Sequence, residues 1–122
     1  MSVTLDILEK LIGFPSVSQA SNLPIIDFID DYLRGIGATH LVRIPNEDGS
    51  KAGLIARIGP DEPGGVLLSA HSDVVPVTGQ TWTHDPFRLT RHDGRLYGRG
   101  STDMKGFLAS MLSAAQIGRA HV

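Results

Sequence analysis

The 122-residue chain contains no cysteine. That excludes disulfides, thiolate metal ligands and cysteine nucleophiles together. It also lacks a basic excess: 11 Lys and Arg stand against 13 Asp and Glu, for a net charge of -2. A nucleic-acid or anionic-membrane partner would need a clustered basic face, so neither is expected. No apolar run approaches the length needed to span a bilayer. The opening Met1-Ser2-Val3-Thr4-Leu5-Asp6 has no basic region followed by a long apolar stretch, so no secretory signal is read there and a cytoplasmic location is expected. Internal repeats and low-complexity tracts are missing too. What remains is 41% hydrophobic and 20% charged, the balance of a globular domain of ordinary size.

The apolar spacing sets the expected elements. Leu5, Leu8, Leu11 and Ile12 recur at helical intervals, with Thr4 as the expected N-cap and Gly13-Phe14-Pro15 as the stop. A second helix follows a cap at Ser21 or Asn22. Pro24 lies in its tolerant first turn, and its apolar face is Ile25, Ile26, Phe28, Ile29, Tyr32 and Leu33. Asp27, Asp30 and Asp31 are assigned to its wet face, and Gly35 and Gly37 end it. His40 to Ile44, Leu54 to Ile58 and Val66 to Ala70 read as short strands, the last two as central strands covered on both faces. Phe87 to Thr90 and Arg95 to Tyr97 flank Asp93-Gly94 as a hairpin. From Lys105 onward, Phe107, Leu108, Met111 and Leu112 pattern as a helix. Helices, then strands, then a helix predict an α/β or α+β layered domain.

The chemistry concentrates in two places. His71, Ser72 and Asp73 form an H-x-D triplet at the end of the Val66–Ala70 run, and Asp103 lies in the glycine-rich Gly98-Arg99-Gly100-Ser101-Thr102-Asp103-Met104-Lys105-Gly106. Ligands gather at the carboxyl ends of strands in open α/β sheets. A His and an Asp there are borderline-to-hard donors suited to Zn²⁺ or a similar ion. In an extended segment His71 and Asp73 point to the same side, so Asp73 can accept a hydrogen bond from the imidazole nitrogen that is not a ligand. Each piece also has an ordinary reading. H-x-D suits a surface or capping pair, Asp103 before a helix suits an N-cap, and Lys105 suits a solvated first-turn residue. Gly98-Arg99-Gly100 is a poor phosphate loop, since it lacks the G-x-G-x-x-G spacing. Trp82 is read as packing beneath its loop and His84 as a loop residue near the site mouth. His40, His92 and His121 receive no chemistry.

Taken together, the motifs are far more specific. Ser69-Ala70-His71-Ser72-Asp73-Val74-Val75-Pro76-Val77, then Trp82-Thr83-His84-Asp85-Pro86-Phe87, then Asp93-Gly94-Arg95-Leu96-Tyr97-Gly98-Arg99-Gly100-Ser101-Thr102-Asp103-Met104-Lys105-Gly106 resemble one family in order and spacing. It is the dinuclear-zinc amidohydrolase family of deacetylases, desuccinylases, glutamate-releasing carboxypeptidases and aminoacylases. The resemblance runs from about Leu5 to Ala115. Gly79-Gln80-x-Trp82, Asp85-Pro86-Phe87-x-Leu89-Thr90 and Met104-Lys105-Gly106-Phe107 resemble its deacetylase branch most, and Gly13-Phe14-Pro15-Ser16-Val17-Ser18 supports that branch.

The resemblance implies a partial zinc-exopeptidase-like α/β three-layer sandwich with a mixed sheet, truncated at the C-terminus. It implies two divalent ions, Zn²⁺ or Co²⁺, with His71 ligating one and Asp103 bridging both. Asp73 becomes the catalytic-site carboxylate that orients His71, and the Asp103-Met104 peptide is cis. The implied substrate is a small N-acyl amino acid, and the implied parent is a homodimeric hydrolase. The family's general-base glutamate and its remaining ligands fall beyond the matching region, so the chain alone is expected to be inactive. A desuccinylase or carboxypeptidase of the same family, and a non-catalytic truncated module, are the alternatives. Residues 1–116 are read as the N-terminal part of the catalytic domain. Residues 117–122 are read as a non-native tail, because Ile117-Gly118-Arg119-Ala120-His121-Val122 equals the translation of a sequencing adapter.

Overall fold

The computed structural model describes residues 2–119; the reading of His121 and of the last residues of the tail lies outside them. Along the chain come α1 (Val3–Ile12), α2 (Leu23–Gly35), β1 (His40–Pro45), β2 (Ala52–Arg57), β3 (Thr90–His92), β4 (Arg95–Tyr97) and α3 (Gly106–Arg119), with an irregular helical turn at Ser101–Lys105 just before α3. No helix among the described residues is long and apolar enough to cross a membrane.

Helix α1 is capped two residues earlier than Thr4. Ser2 is its cap, and the Ser2 hydroxyl accepts from the Leu5 amide at 3.2 Å. Thr4 instead reaches across to α3, where its hydroxyl donates to Ser113 at 2.9 Å. Ile7, Leu8, Leu11 and Ile12 form the buried stripe, with Leu11 and Ile12 fully enclosed. Each such side chain contributes about 1.5–3 kcal/mol on leaving water. Leu108, Ala109 and Leu112 of α3 pack into the same core, as do Ile25, Ile26, Ile29 and Leu33 of α2.

Asn22 stands at the α2 cap position, but its side chain does not cap the helix. Its amide group bonds both backbone polar atoms of Ala52, each at 2.9 Å, and so ties the start of α2 to β2. The acidic face of α2 is only partly wet. Asp27 and Asp31 are exposed, whereas Asp30 is 4% exposed and ion-pairs with Arg34 at 2.6 Å and Arg43 of β1 at 2.9 Å. The Arg43 hydrogen bond outweighs burial and, with Arg34, holds the Asp30 carboxyl below its ordinary pKa. A buried carboxylate survives because two guanidinium groups replace its water.

Strands β1 and β2 pair antiparallel from His40 opposite Arg57 to Pro45 opposite Ala52, joined by the predicted turn. Strand β2 starts two residues before the expected Leu54. β3 and β4 form the small hairpin, with Asp93 and Gly94 both at positive φ (50° and 72°). That is the Asp-Gly turn geometry that matches strand twist. The strand expected at Phe87 to Thr90 lies further on, at Thr90–His92, and shares only Thr90 with the expectation.

Val66 to Ala70 departs most from expectation. It is not paired as a strand, and Val66 and Leu67 are 89% and 88% exposed. A strand is defined by its neighbour's hydrogen bonds, and among the described residues none aligns with this run. The first downstream pairing is a parallel bridge between Val17 and Val74. The molecule is therefore mixed α/β, with its paired strands in two two-stranded antiparallel sheets.

Candidate functional site

Residues 98–106 form the floor of the site. At Gly100, φ is 87°, and an added Cβ would lie 2.4 Å from Val74 Cγ1, so a side chain is excluded on both counts. The backbone then turns through Asp103 and Met104, which have non-helical dihedrals, with a cis peptide between them. Asp103 is not the N-cap of α3: the helix starts three residues later at Gly106, and the Asp103 carboxylate is bonded to His71. Its carboxylate, 85% exposed at the side chain, points away from the helix and toward His71.

Lys105 anchors this turn. It is fully buried, contrary to the solvated reading, and its Nζ donates to the Leu11 and Phe14 carbonyls, each at 2.8 Å. Those carbonyls belong to the end of α1, where backbone acceptors lack helical partners and the dipole favours a cation. Burial pulls the ammonium down from its ordinary pKa to about 8. Lys105 thus fastens the Asp103 turn to the core helix two residues away from the exposed carboxylate.

His71 brings the two motifs together. Its Nε2 is 2.9 Å from Asp103 Oδ1, although the residues are 32 positions apart. Its Nδ1 is 3.0 Å from the Asp73 carbonyl and 3.2 Å from Asp73 Oδ1. The His71 amide also donates to Met104 Sδ at 3.4 Å. Asp73 is held from its far side, where the Ser18 hydroxyl donates to Oδ2 at 2.5 Å. That hydrogen bond, opposed by burial and aided by His71 and Lys51, lowers the Asp73 pKa.

The geometry defines the charge the site wants. Both imidazole nitrogens face oxygen acceptors, which demand either two ring protons or one proton and a cation. Burial pulls the His71 pKa down, but the Asp103 hydrogen bond and the two carboxylates outweigh it and raise the imidazole above its ordinary value. His71 Nε2 and the Asp103 carboxylate would hold a divalent ion in place of the shared proton. These donors suit such an ion, yet two are short of the four of a usual zinc site. No cluster of three or more His, Asp, Glu or Cys suited to a metal occurs among the described residues. The pocket around the pair is about 250 Å³, and its walls include Ser18, Asp73, Arg99 and Asp103.

A larger cavity of about 630 Å³ lies beside it, lined by residues 80–85 with His92, Tyr97 and Arg99. Trp82 is half-buried there, with the Arg99 guanidinium 5.1 Å from its ring centre. Arg99 also donates to Gln80. His84 stacks loosely between His92 and Tyr97, at ring separations of 6.5 and 6.3 Å. The His40 ring lies 3.1 Å from the Thr39 hydroxyl and stands far along the sequence from either motif. Sequence reasoning missed Ser18 and Lys105. Neither residue type carries a signal of its own, and both matter through partners 55 and 91–94 positions away.

Comparison with known proteins agrees with the motifs. Residues 67–121 match the family model for Peptidase family M20/M25/M40. The acetylornithine deacetylase of Shigella sonnei is 40% identical over 114 residues, which cover 88% of this chain and 30% of that protein. The crystal structure of human carnosine dipeptidase 1 superposes with a TM-score of 0.76 at 28% identity, covering 96% of this chain and 28% of that chain. The chain therefore spans under a third of the length of the curated relative it matches. It resembles this hydrolase family in sequence and in mixed α/β fold.

Proposed function

We propose that the chain is part of a metal-dependent amidohydrolase of this family, an acetylornithine deacetylase, which cleaves N-acetylornithine to ornithine and acetate. The observation that carries the reading is the His71 Nε2 to Asp103 Oδ1 approach of 2.9 Å inside one pocket. His71 and Asp103 would hold the metal, and Asp73 would fix the imidazole by accepting from Nδ1. That acceptance leaves the Nε2 lone pair available as a donor. When bound, the metal supplies Lewis acidity toward the amide carbonyl and toward water. The open side of the pocket, where Asp103 is exposed, is where an acyl amino acid would enter. Proton transfer to the leaving amine needs a general base, and among the described residues none near His71 is placed for that task; Asp73 is bonded by Ser18 at Oδ2 and faces His71 at Oδ1. The 122 residues alone are accordingly predicted to bind metal weakly and to turn over no substrate.

The test uses the product of the complete gene that contains this segment. Chelator-sensitive hydrolysis of N-acetyl-L-ornithine, reduced about 10³-fold or more by His71→Ala and by Asp103→Asn, is the expected result. Hydrolysis restricted to N-succinyl amino acids would move the assignment to the desuccinylase branch. Full activity in both substitution variants would remove the metal reading.

A further inference from the structure

The strand run that delivers His71 is unpaired, so something else must set where the imidazole stands. The loop after α1 does this. Val74 donates to the Ser16 carbonyl at 2.9 Å, Ser18 donates back to the Val74 carbonyl at 3.0 Å, and the Ser16 hydroxyl donates to the Ser72 carbonyl at 2.8 Å. This splint runs alongside residues 72–74 and ends at the Ser18 hydroxyl, 2.5 Å from Asp73 Oδ2. Lys51, from the edge of β2, caps the splint by donating to the Ser18 carbonyl. Asp73 is therefore held from two sides: Ser18 bonds its Oδ2, while its backbone carbonyl takes His71 Nδ1 at 3.0 Å and its Oδ1 stands 3.2 Å from the same nitrogen.

We infer that Ser18 is a positioning residue: through Asp73 it holds His71 in the Nδ1–H tautomer, with Nε2 turned toward Asp103. This rests on the reading of His71 and Asp103 as metal donors. A carboxylate held at one oxygen only can swing about its Cα–Cβ–Cγ torsions. Asp73 is half-buried, and Ser18 is the side chain that removes this freedom on its far side. Outer partners of metal-bound histidines change metal affinity by roughly 10- to 100-fold when removed. Ser18 acts one step further out, and the lower end of that range is expected.

The experiment has two arms on the 122-residue chain, with Ser18→Ala and Ser18→Thr. In metal-free protein at about pH 9, where a histidine near its usual range is neutral, ¹⁵N shifts of His71 report the tautomer. Wild type and Ser18→Thr are expected in the Nδ1–H form, and Ser18→Ala is expected to shift toward Nε2–H. In the second arm, Co²⁺ is titrated and line broadening at residues 71–73 and 100–103 is followed. Ser18→Ala is expected to weaken Co²⁺ by about tenfold, with Ser18→Thr near wild type. A wild-type tautomer and unchanged Co²⁺ affinity in Ser18→Ala would overturn the inference, as would a Ser18→Thr variant no better than Ser18→Ala. If wild type shows no Co²⁺ effect at these residues while the tautomer still follows Ser18, the metal reading fails and the positioning role stands.

Discussion

Two neighbouring hollows share Arg99 and differ in how they are built. The larger is walled by residues 80–85 with His92, Tyr97 and Arg99, all from within twenty positions of one another, and its side chains mostly touch aromatic rings and each other. The smaller draws Ser18, His71–Val75 and Gly98–Asp103 from three separated segments, and charge-bearing hydrogen bonds join them. Volume would select the first. Chemistry selects the second, because donors there converge on one point and are held by partners that themselves have partners. His84 and His92 are as numerous as any metal site needs to start with, yet no carboxylate turns His84 toward a shared ion. Bringing groups together from distant sequence costs chain entropy, and that cost is offset only where packing supports it.

The comparison can be broken from its anchor outward. Lys105→Ala should have the largest effect, about 3–5 kcal/mol, by opening a core void and removing two charge-assisted bonds to the Leu11 and Phe14 carbonyls, which keep the Phe14 and Ser16 amides. Urea unfolding measures this, and a loss under 1 kcal/mol would show that the anchor is ornamental. Gly100→Ala should cost roughly 2–3 kcal/mol, since a Cβ would collide with Val74 and the backbone has positive φ. It should disturb resonances of the small pocket and leave Trp82 emission unchanged.

A third test uses pH. The Lys105 pKa is about 8 in the folded chain against an ordinary 10.5. Between those values the unfolded chain binds more protons, so stability should rise with pH across about 8 to 10.5, and this group adds no slope below that window. The gain should be on the order of 3 kcal/mol and should be absent in Lys105→Met. A falling curve across the window in wild type, matched by Lys105→Met, would contradict the burial. Smallest of all, Arg99→Ala should cost about 0.5–1 kcal/mol through its lost stacking on Trp82. As the single tryptophan, Trp82 reports the change by fluorescence. Metal-induced broadening at Asp103 should persist in that variant.

Much of this was legible in the residues. Helical spacing located all three helices, turn chemistry located both hairpins, and the H-x-D and glycine-rich motifs marked the two walls of the small pocket. The misses share a physical cause. Lys105 and Asp30 were read as wet because lone charges usually are. Their burial depends on acceptors and guanidinium groups that other elements supply, although the Asp30–Arg34 spacing was a local hint. Ser18 lies in the Gly13–Ser18 motif, but nothing in that motif points to Asp73; only the fold brings the two together. Val66 to Ala70 has the composition of a buried strand, but composition cannot supply a neighbour.

The central claim is that His71 and Asp103 hold a divalent ion between them. Titrating the 122-residue chain with Co²⁺ and mapping paramagnetic broadening by NMR tests it most directly, since weak binding by two donors is still visible. Broadening centred on residues 71–73 and 100–103, and lost in both His71→Ala and Asp103→Asn, is the predicted result. Broadening centred on His84 and His92, or unchanged by either substitution, would contradict it.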